Sequence, residues 1–389
     1  MPPTSSSIIG IDASRAVSAA PTGTEAYSTH LIRALRPRLA STHTLRLYYR
    51  EMPPFALDTP ASGPQTARSE AAVETRVIPF PRLWTHLRLS WEMVRHPPDL
   101  LFVPAHVLPV VRPRRTLVTV HDLGYRLFPE AYPASQRRYL ELSTRWNVRV
   151  ATHILADSEA TRDAIIEAYD VPAQKLTVVY PGYEPDLKPV RDCSEIERVR
   201  RRYSIPGDYV LSIGRIQPRK NLTRLIEAFS RVLADHPNLT LVLAGPTGWL
   251  GDPIQARATT LRVADRVIFP GYVAPEDKAA LISGARLFAY PSLCEGFGFP
   301  VLEAQACGTP LLTSTTSSLP EVTGEGGLLV DPLDVEAIAD GLRRLLDDQA
   351  RGGRLSARLV TQGFENLARF SWEMAARQVQ DVITALLEP

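Results

Sequence analysis

Short apolar runs rich in β-branched residues alternate, through most of the chain, with longer stretches whose apolar positions recur every three or four residues. That alternation predicts βα units on parallel sheets. In the first half the strand candidates are "SIIGID" (7–12), "LRLYY" (45–49), "ETRVIPF" (74–80), "DLLFVP" (99–104), "RTLVTVHDL" (115–123), "HILADS" (153–158) and "KLTVVYPG" (175–182). "EAYSTHLIRAL" (25–35) reads as a helix with Tyr27, Leu31 and Leu35 on one face, and 134–152 as a longer one. Ser158 is the expected N-cap of a helix opening "EATRDAIIEAY".

Residues 183–208 break the pattern with Pro185, Pro189, a charged run and Pro206-Gly207, as a connector does. A second series follows: strands at 208–215, 239–245, 266–271, 286–292, 310–314 and 326–331, with a helix over 221–236 that Asn221 would cap. The chain ends in a helix with apolar residues at helical spacing. The reading is therefore α/β, two Rossmann-like domains facing across a cleft. A first domain takes residues 1–190, a linker 191–207, and a second domain 208–365. A C-terminal helix, 366–389, would cross back to the first domain.

A length of 389 residues suits two domains, and 44% hydrophobic with 22% charged residues suits a globular protein. Net charge is +2, which gives no reason to expect a nucleic-acid partner. Residues 1–190 carry 22 Lys+Arg against 18 Asp+Glu, so a mildly basic first half could meet an anionic acceptor or membrane surface. Three cysteines, Cys193, Cys294 and Cys307, lack metal-ligand spacing and fit a reducing cytosol. The beginning lacks the features of a secretory signal, and no apolar stretch is long enough to span a bilayer. The expected location is cytoplasmic, with any membrane contact peripheral on its inner face.

In open parallel sheets ligands gather beyond the carboxyl ends of the strands, so the motifs there carry the chemistry. "SIGRIQPRKN" (212–221) ends a strand at Gly214, where the backbone can approach a ligand, and supplies Arg215 and Lys220 before a helix start. A bidentate Arg plus a Lys suits a diphosphate; a solvated basic loop is the plain alternative. "SLCEGFGFPVLEAQACGTP" (292–310) puts Glu295 in a loop and Glu303 on the following helix, with Gly296 and Gly298 exposing backbone N–H groups between. Two carboxylates flanking a helix N-terminus can accept from sugar hydroxyls while the N–H groups hold a phosphate.

These motifs resemble those of the GT-B glycosyltransferases of family 4, which move sugars from nucleotide donors with retention at the anomeric carbon. "GRIQPRKN", "PSLCEGFGFPVLEAQACGTP" and "SSLPEVTGEGGLLVDP" (317–332) carry the likeness, with "VYPGYE" (179–184) at the end of the first domain. The resemblance implies that Glu303 binds ribose, Glu295 the donor hexose, and Arg215 and Lys220 the diphosphate. N–H groups around Gly296, Phe297, Gly298 and Phe299 would hold sugar and phosphate, and Val273 in "PGYV" would lie where the base is read. It implies that His121, in "VTVHDL", reaches the donor sugar, with Asp122 either orienting the ring or capping the next turn. Gly23 and Thr24 stand where the family has a glycine-rich loop near phosphate and acceptor; Thr24 replaces a common second glycine.

The implied donor is a UDP-, GDP- or ADP-sugar, with no obligatory cofactor and no metal. The implied acceptor is a glycan or lipid-linked glycan, and "TVHDLGYRLFPEAYP" leans toward mannosyl transfer. Trp84, Leu87 and Trp91, with Arg82, Arg88 and Arg95 beside them, suit either a lipid surface or the core. Rival readings are a nucleotide-sugar epimerase, a phosphorylase, for which lysine is scarce, and a binding protein without turnover.

Overall fold

The computed structural model describes residues 7–16, 23–52, 72–80, 83–105 and 107–388. The chain forms two compact units. One is Met1–Leu123, Arg138–Gly182 and Phe370–Pro389; the other is Gly124–Arg137 and Tyr183–Arg369. Each is built on a parallel sheet.

The first sheet runs β3-β2-β1-β4-β5-β6-β7. Its strands are β1 Ile8–Asp12, β2 Thr44–Tyr49, β3 Val73–Val77, β4 Leu100–Val103, β5 Arg115–Val120, β6 His153–Ala156 and β7 Leu176–Val178. Central strands such as β4, "LLFV", are apolar and buried throughout, as strands covered on both faces must be. The helices along this part of the chain are α1 Gly23–Leu39, α2 Ser90–Arg95, α3 Gly124–Leu127, which belongs to the second unit, α4 Ala134–Val150 and α5 Glu159–Tyr169. Tyr27, Leu31 and Leu35 are the buried face of α1. Ser158 caps α5 by accepting from the Thr161 N–H at 3.1 Å.

The second sheet runs β10-β9-β8-β11-β12-β13. Its strands are β8 Tyr209–Ile213, β9 Thr240–Ala244, β10 Val267–Gly271, β11 Leu287–Tyr290, β12 Leu311–Ser314 and β13 Leu328–Val330. The helices are α6 Cys193–Arg202, α7 Leu222–Val232, α8 Gly251–Thr260, α9 Pro275–Ser283, α10 Phe299–Ala306, α11 Leu319–Thr323, α12 Val335–Ala350, α13 Arg354–Leu367 and α14 Trp372–Leu387. The last of these belongs to the first unit, where it packs on α1. Order reverses around β8: β9 continues to one side and β11 begins the other, which makes the carboxyl ends of β8 and β11 the switch point where ligands bind in such sheets.

Three stretches differ from the sequence reading. Residues 193–202, read as connector, form α6. Asp192 caps it, and Arg198 and Arg202 reach buried Asp277 of α9 at 2.7 Å each. Asn221 does not cap α7 with its side chain. It sits at φ 58°, and its amide donates to the carbonyls of Pro291 at 3.0 Å and Pro332 at 2.6 Å. Trp84, Leu87 and Trp91 do not share a face. A π-helical turn, Trp84–Leu89, buries Trp84 with its indole N–H on the Ile78 carbonyl at 2.7 Å, and leaves Leu87 and Trp91 exposed.

Gly182 ends the first unit's early segments against the start of α14. A Cβ placed there would lie 2.4 Å from the Trp372 amide nitrogen. Gly182→Ala is expected to destabilise the first unit by about 1–3 kcal/mol, the usual range for overpacking. Denaturant unfolding followed by tryptophan fluorescence reads this, and an unchanged midpoint would contradict the packing.

Candidate active site

The loop between β11 and α10 holds Glu295, and the loops after β8 and β12 converge on it. Ser292 Oγ lies 2.5 Å from Glu295 Oε1 and 3.0 Å from the Arg219 carbonyl, with one proton to give. The Tyr290 hydroxyl donates to Oε1 at 3.0 Å. Lys220 Nζ donates to Oε1 at 2.7 Å and to the Tyr290 oxygen at 2.5 Å. Arg219 Nη1 donates to Oε2 at 2.8 Å and to the Cys294 carbonyl at 2.6 Å. From the loop after β12, Ser317 Oγ accepts the Glu295 N–H at 2.9 Å, and Ser318 Oγ lies 2.9 Å from the Glu295 carbonyl and 2.7 Å from that of Phe297.

The two cations come from one 3₁₀ turn, Pro218–Lys220, opened by proline and ended by left-handed Asn221. Adjacent residues of such a turn point apart, yet Arg219 and Lys220 meet on the two oxygens of one carboxylate. Glu295 is 8% exposed. Burial would raise its pKa, but the charges of Arg219 and Lys220 and hydrogen bonds from Lys220 and Ser292 bring it down to about 2. Burial raises the Tyr290 phenol well above its ordinary range, and the carboxylates of Glu295 and Glu303 push it further the same way.

α10 begins after Gly298, whose φ is 108° and where a Cβ would meet Leu319 Cδ2 at 2.8 Å. Pro300 occupies its first turn. Phe297 and Phe299 meet edge to face at 5.2 Å between centroids. Glu303 is buried on α10, and its Oε1 pairs with Lys278 Nζ of α9. Gly296 is buried and Val273, between β10 and α9, is half-buried.

The sequence-predicted residues therefore divide. Lys220 and Glu295 are in contact, and Glu303 acts with Glu295 on Tyr290. Arg215 is exposed, and its stem lies against Gly248 after β9 rather than on either carboxylate. Gly214 follows β8, with its N–H bonded to the Ala244 carbonyl at 2.9 Å. Arg219 and Lys278 were not singled out in the sequence. The proximity of Arg219 to Lys220 was its only signal, and Lys278, 25 residues before Glu303, gave none.

In the first unit Gly23 and Thr24 are exposed in the first turn of α1, not in a loop before it; residues 20–22 lie outside the described set. His121 follows β5. Its Nδ1 lies 2.6 Å from Asp157 Oδ2 and its Nε2 2.9 Å from the Pro104 carbonyl. The ring is thus oriented by Asp157, to which the sequence reading gave no role. Among the described residues no group of three His, Cys, Asp or Glu side chains could hold a metal ion.

Comparison with known proteins decides the family. The family model for glycosyl transferases group 1 matches residues 196–365, and that for glycosyltransferase family 4 matches residues 21–187. The O-antigen chain mannosyltransferase B of Escherichia coli is 33% identical over 299 residues, 76% of this chain and 77% of its own. The chain belongs to glycosyltransferase family 4. A D-inositol 3-phosphate glycosyltransferase of Streptomyces avermitilis is 33% identical over 62% of this family 4 chain and 53% of its own length. In fold, this glycosyltransferase is similar to Anabaena Alr3699/HepE, solved in complex with UDP and glucose. The TM-score is 0.71 at 20% identity, covering 97% of this chain and 99% of that one. Its architecture is the GT-B fold, and the protein is a glycosyltransferase.

Because Glu295 is held at a lowered pKa, it gives the fold stability that is complete above about pH 4.5 and lost as pH falls toward about 2. The stability difference between wild type and Glu295→Gln is expected to shrink over that window. Urea unfolding at stepped pH measures it; a difference independent of pH would contradict the ion pairs.

Proposed function

We propose that this enzyme is a retaining hexosyltransferase that moves a mannose- or glucose-type sugar from a nucleotide diphosphate donor to a glycan or lipid-linked glycan. The observation that carries the reading is the buried Glu295 carboxylate held charged between Arg219 and Lys220 at the head of α10. Such a carboxylate has no proton to lose and is oriented to accept from sugar hydroxyls. The mannosyl preference is supported by the relative named above, and a nucleotide sugar by the UDP and glucose of the structural neighbour.

In this reading Glu303 accepts from the ribose hydroxyls, and N–H groups from Gly296 to Phe299 meet donor sugar and phosphate, with Val273 by the base. Gly214 lets the backbone approach. Negative charge grows on the leaving diphosphate, so Arg215, Lys220 and the amino end of α10 stabilise the transition state more than the ground state. Arg219 adds a second cation beside Lys220. The leaving phosphate takes the acceptor proton on the face it vacates, which gives retention without a covalent intermediate on Glu295. Gly23 and Thr24 lie on the acceptor side.

Glu303→Ala is expected to weaken binding of the free nucleotide about 10- to 100-fold, the worth of a charge-assisted hydrogen bond, while Arg215→Ala lowers kcat with little effect on that affinity. Calorimetry with UDP, GDP and ADP and turnover assays check both. Product analysis with donor alone separates transfer from epimerisation, and absence of any turnover would mark a binding protein.

A lipid-linked acceptor and a place at the inner membrane face are supported by the surface of the first unit. Leu83, Leu87, Trp91 and Val94 are exposed along one stretch, and the Arg95 guanidinium lies 5.0 Å from the Trp91 ring. Among the described residues no helix is long and apolar enough to cross a membrane. Replacing Leu87 and Trp91 together by Asp is expected to abolish sedimentation with phosphatidylglycerol vesicles and leave nucleotide affinity unchanged. Equal sedimentation of variant and wild type would refute this surface.

A further inference from the structure

His121 has two ring nitrogens and two protein acceptors. The Pro104 carbonyl, 2.9 Å from Nε2, can only accept, so Nε2 carries a proton. Asp157 Oδ2, 2.6 Å from Nδ1, is a carboxylate oxygen whose partner oxygen, Oδ1, is buried without a hydrogen bond among the described residues. A proton lies between Nδ1 and Oδ2 as well. The imidazole therefore has no lone pair left to offer.

The surroundings hold this arrangement. β5 and β6 pair in register with Val120 opposite Ala156, so His121 and Asp157, one residue beyond each, emerge side by side. Tyr27 of α1 stands perpendicular to the imidazole at 4.8 Å, with its hydroxyl 3.2 Å from Thr119 Oγ1. Thr161 of α5 donates to the His121 carbonyl at 3.3 Å. Among the described residues, the charged or titratable groups facing the ring are Asp157, Asp122 and Tyr27. Burial alone would lower the His121 pKa, but the charge and hydrogen bond of Asp157, with Asp122 and the Pro104 carbonyl, raise it above the ordinary value. Burial raises the Asp157 pKa, while the charge and hydrogen bond of His121 pull it back down.

We propose that Asp157 is a positioning residue that keeps His121 a fixed imidazolium, so that His121 serves the transfer reaction as a cation and N–H donor and never as a general base. This rests on the glycosyl-transfer reading above and goes further, since it says which group cannot take the acceptor proton. A substrate oxygen can gain the Nε2 proton only by replacing the Pro104 carbonyl as its acceptor.

Two measurements test it. Long-range 1H–15N spectra of the intact protein at pH 7.5, with His121 assigned by comparison with His121→Gln, should show both ring nitrogens protonated. In Asp157→Asn the ring should be neutral, because the amide can donate to Nδ1 while Nε2–H stays on Pro104. Turnover gives the second readout. Even at an ordinary histidine pKa near 6.5 only about 3% of the ring stays charged at pH 8, and burial lowers that fraction further, so kcat of Asp157→Asn at pH 8 should be at least roughly thirtyfold below wild type. A neutral His121 in the wild type, or a wild-type kcat in Asp157→Asn at pH 8, would overturn the proposal. The wild-type spectrum decides even if Asp157→Asn fails to fold. It also decides if no donor is turned over, an outcome that would count against the transfer reading alone.

Discussion

A carboxylate taken out of water must be paired or neutralised, and Glu295 is paired. Its geometry dictates the loops around it. The turn after β8 must deliver two cations to one carboxylate, which it does by opening at Pro218 and closing at left-handed Asn221. Asn221 then ties that turn to the loops after β11 and β13 through Pro291 and Pro332. Ser317 and Ser318 fasten the loop after β12 to the backbone of the same segment. Four strand ends are thereby locked to one charge. Removing either cation would leave a buried anion undercompensated, so the cluster is organised before any substrate arrives.

Glu303 is held differently. A single lysine from α9 reaches one of its oxygens, and that lysine is itself partly exposed. One carboxylate is caged by four side chains and the other is clasped by one. In the proposed reading the caged group is a fixed hydroxyl acceptor at the reacting sugar, where small displacements cost rate. The clasped group suits recognition of a part that must bind and leave.

The repeating strands were legible because β strands buried on both faces read as continuous apolar runs, and every one proposed from the sequence has its counterpart. Glu295, Glu303 and Lys220 were legible as strand-end chemistry. Arg219 was not, because periodicity sends neighbours in opposite directions and only the two-oxygen target reunites it with Lys220. Lys278 was hidden by the crossover connection that brings α9 beside α10. Asn221 misled because a left-handed residue faces its amide away from the helix it precedes. The stripe at Trp84, Leu87 and Trp91 misled because one π-helical turn changes the period on which such stripes are read.

Asp157 was within reach of sequence reasoning. "VTVHD" and "ILADS" both end strands, and parallel neighbours in register set equivalent positions side by side. The same sheet shows why the two units solve burial of charge in different ways. At the ends of β1 and β6, Asp12 and Asp157 each leave one oxygen buried and without a hydrogen bond among the described residues, and burial raises the pKa of both. Asp157 is relieved by sharing a proton with a ring, and no arginine or lysine contributes to that relief. The second unit brings two permanent cations to its carboxylate instead. A proton-sharing pair keeps its hydrogen bonds only while that proton stays, whereas an ion pair between Lys220 and Glu295 needs no proton at neutral pH. The loop cluster around Glu295 therefore holds its charge down to strongly acid conditions, while the charge of the histidine–aspartate pair rests on the proton it shares.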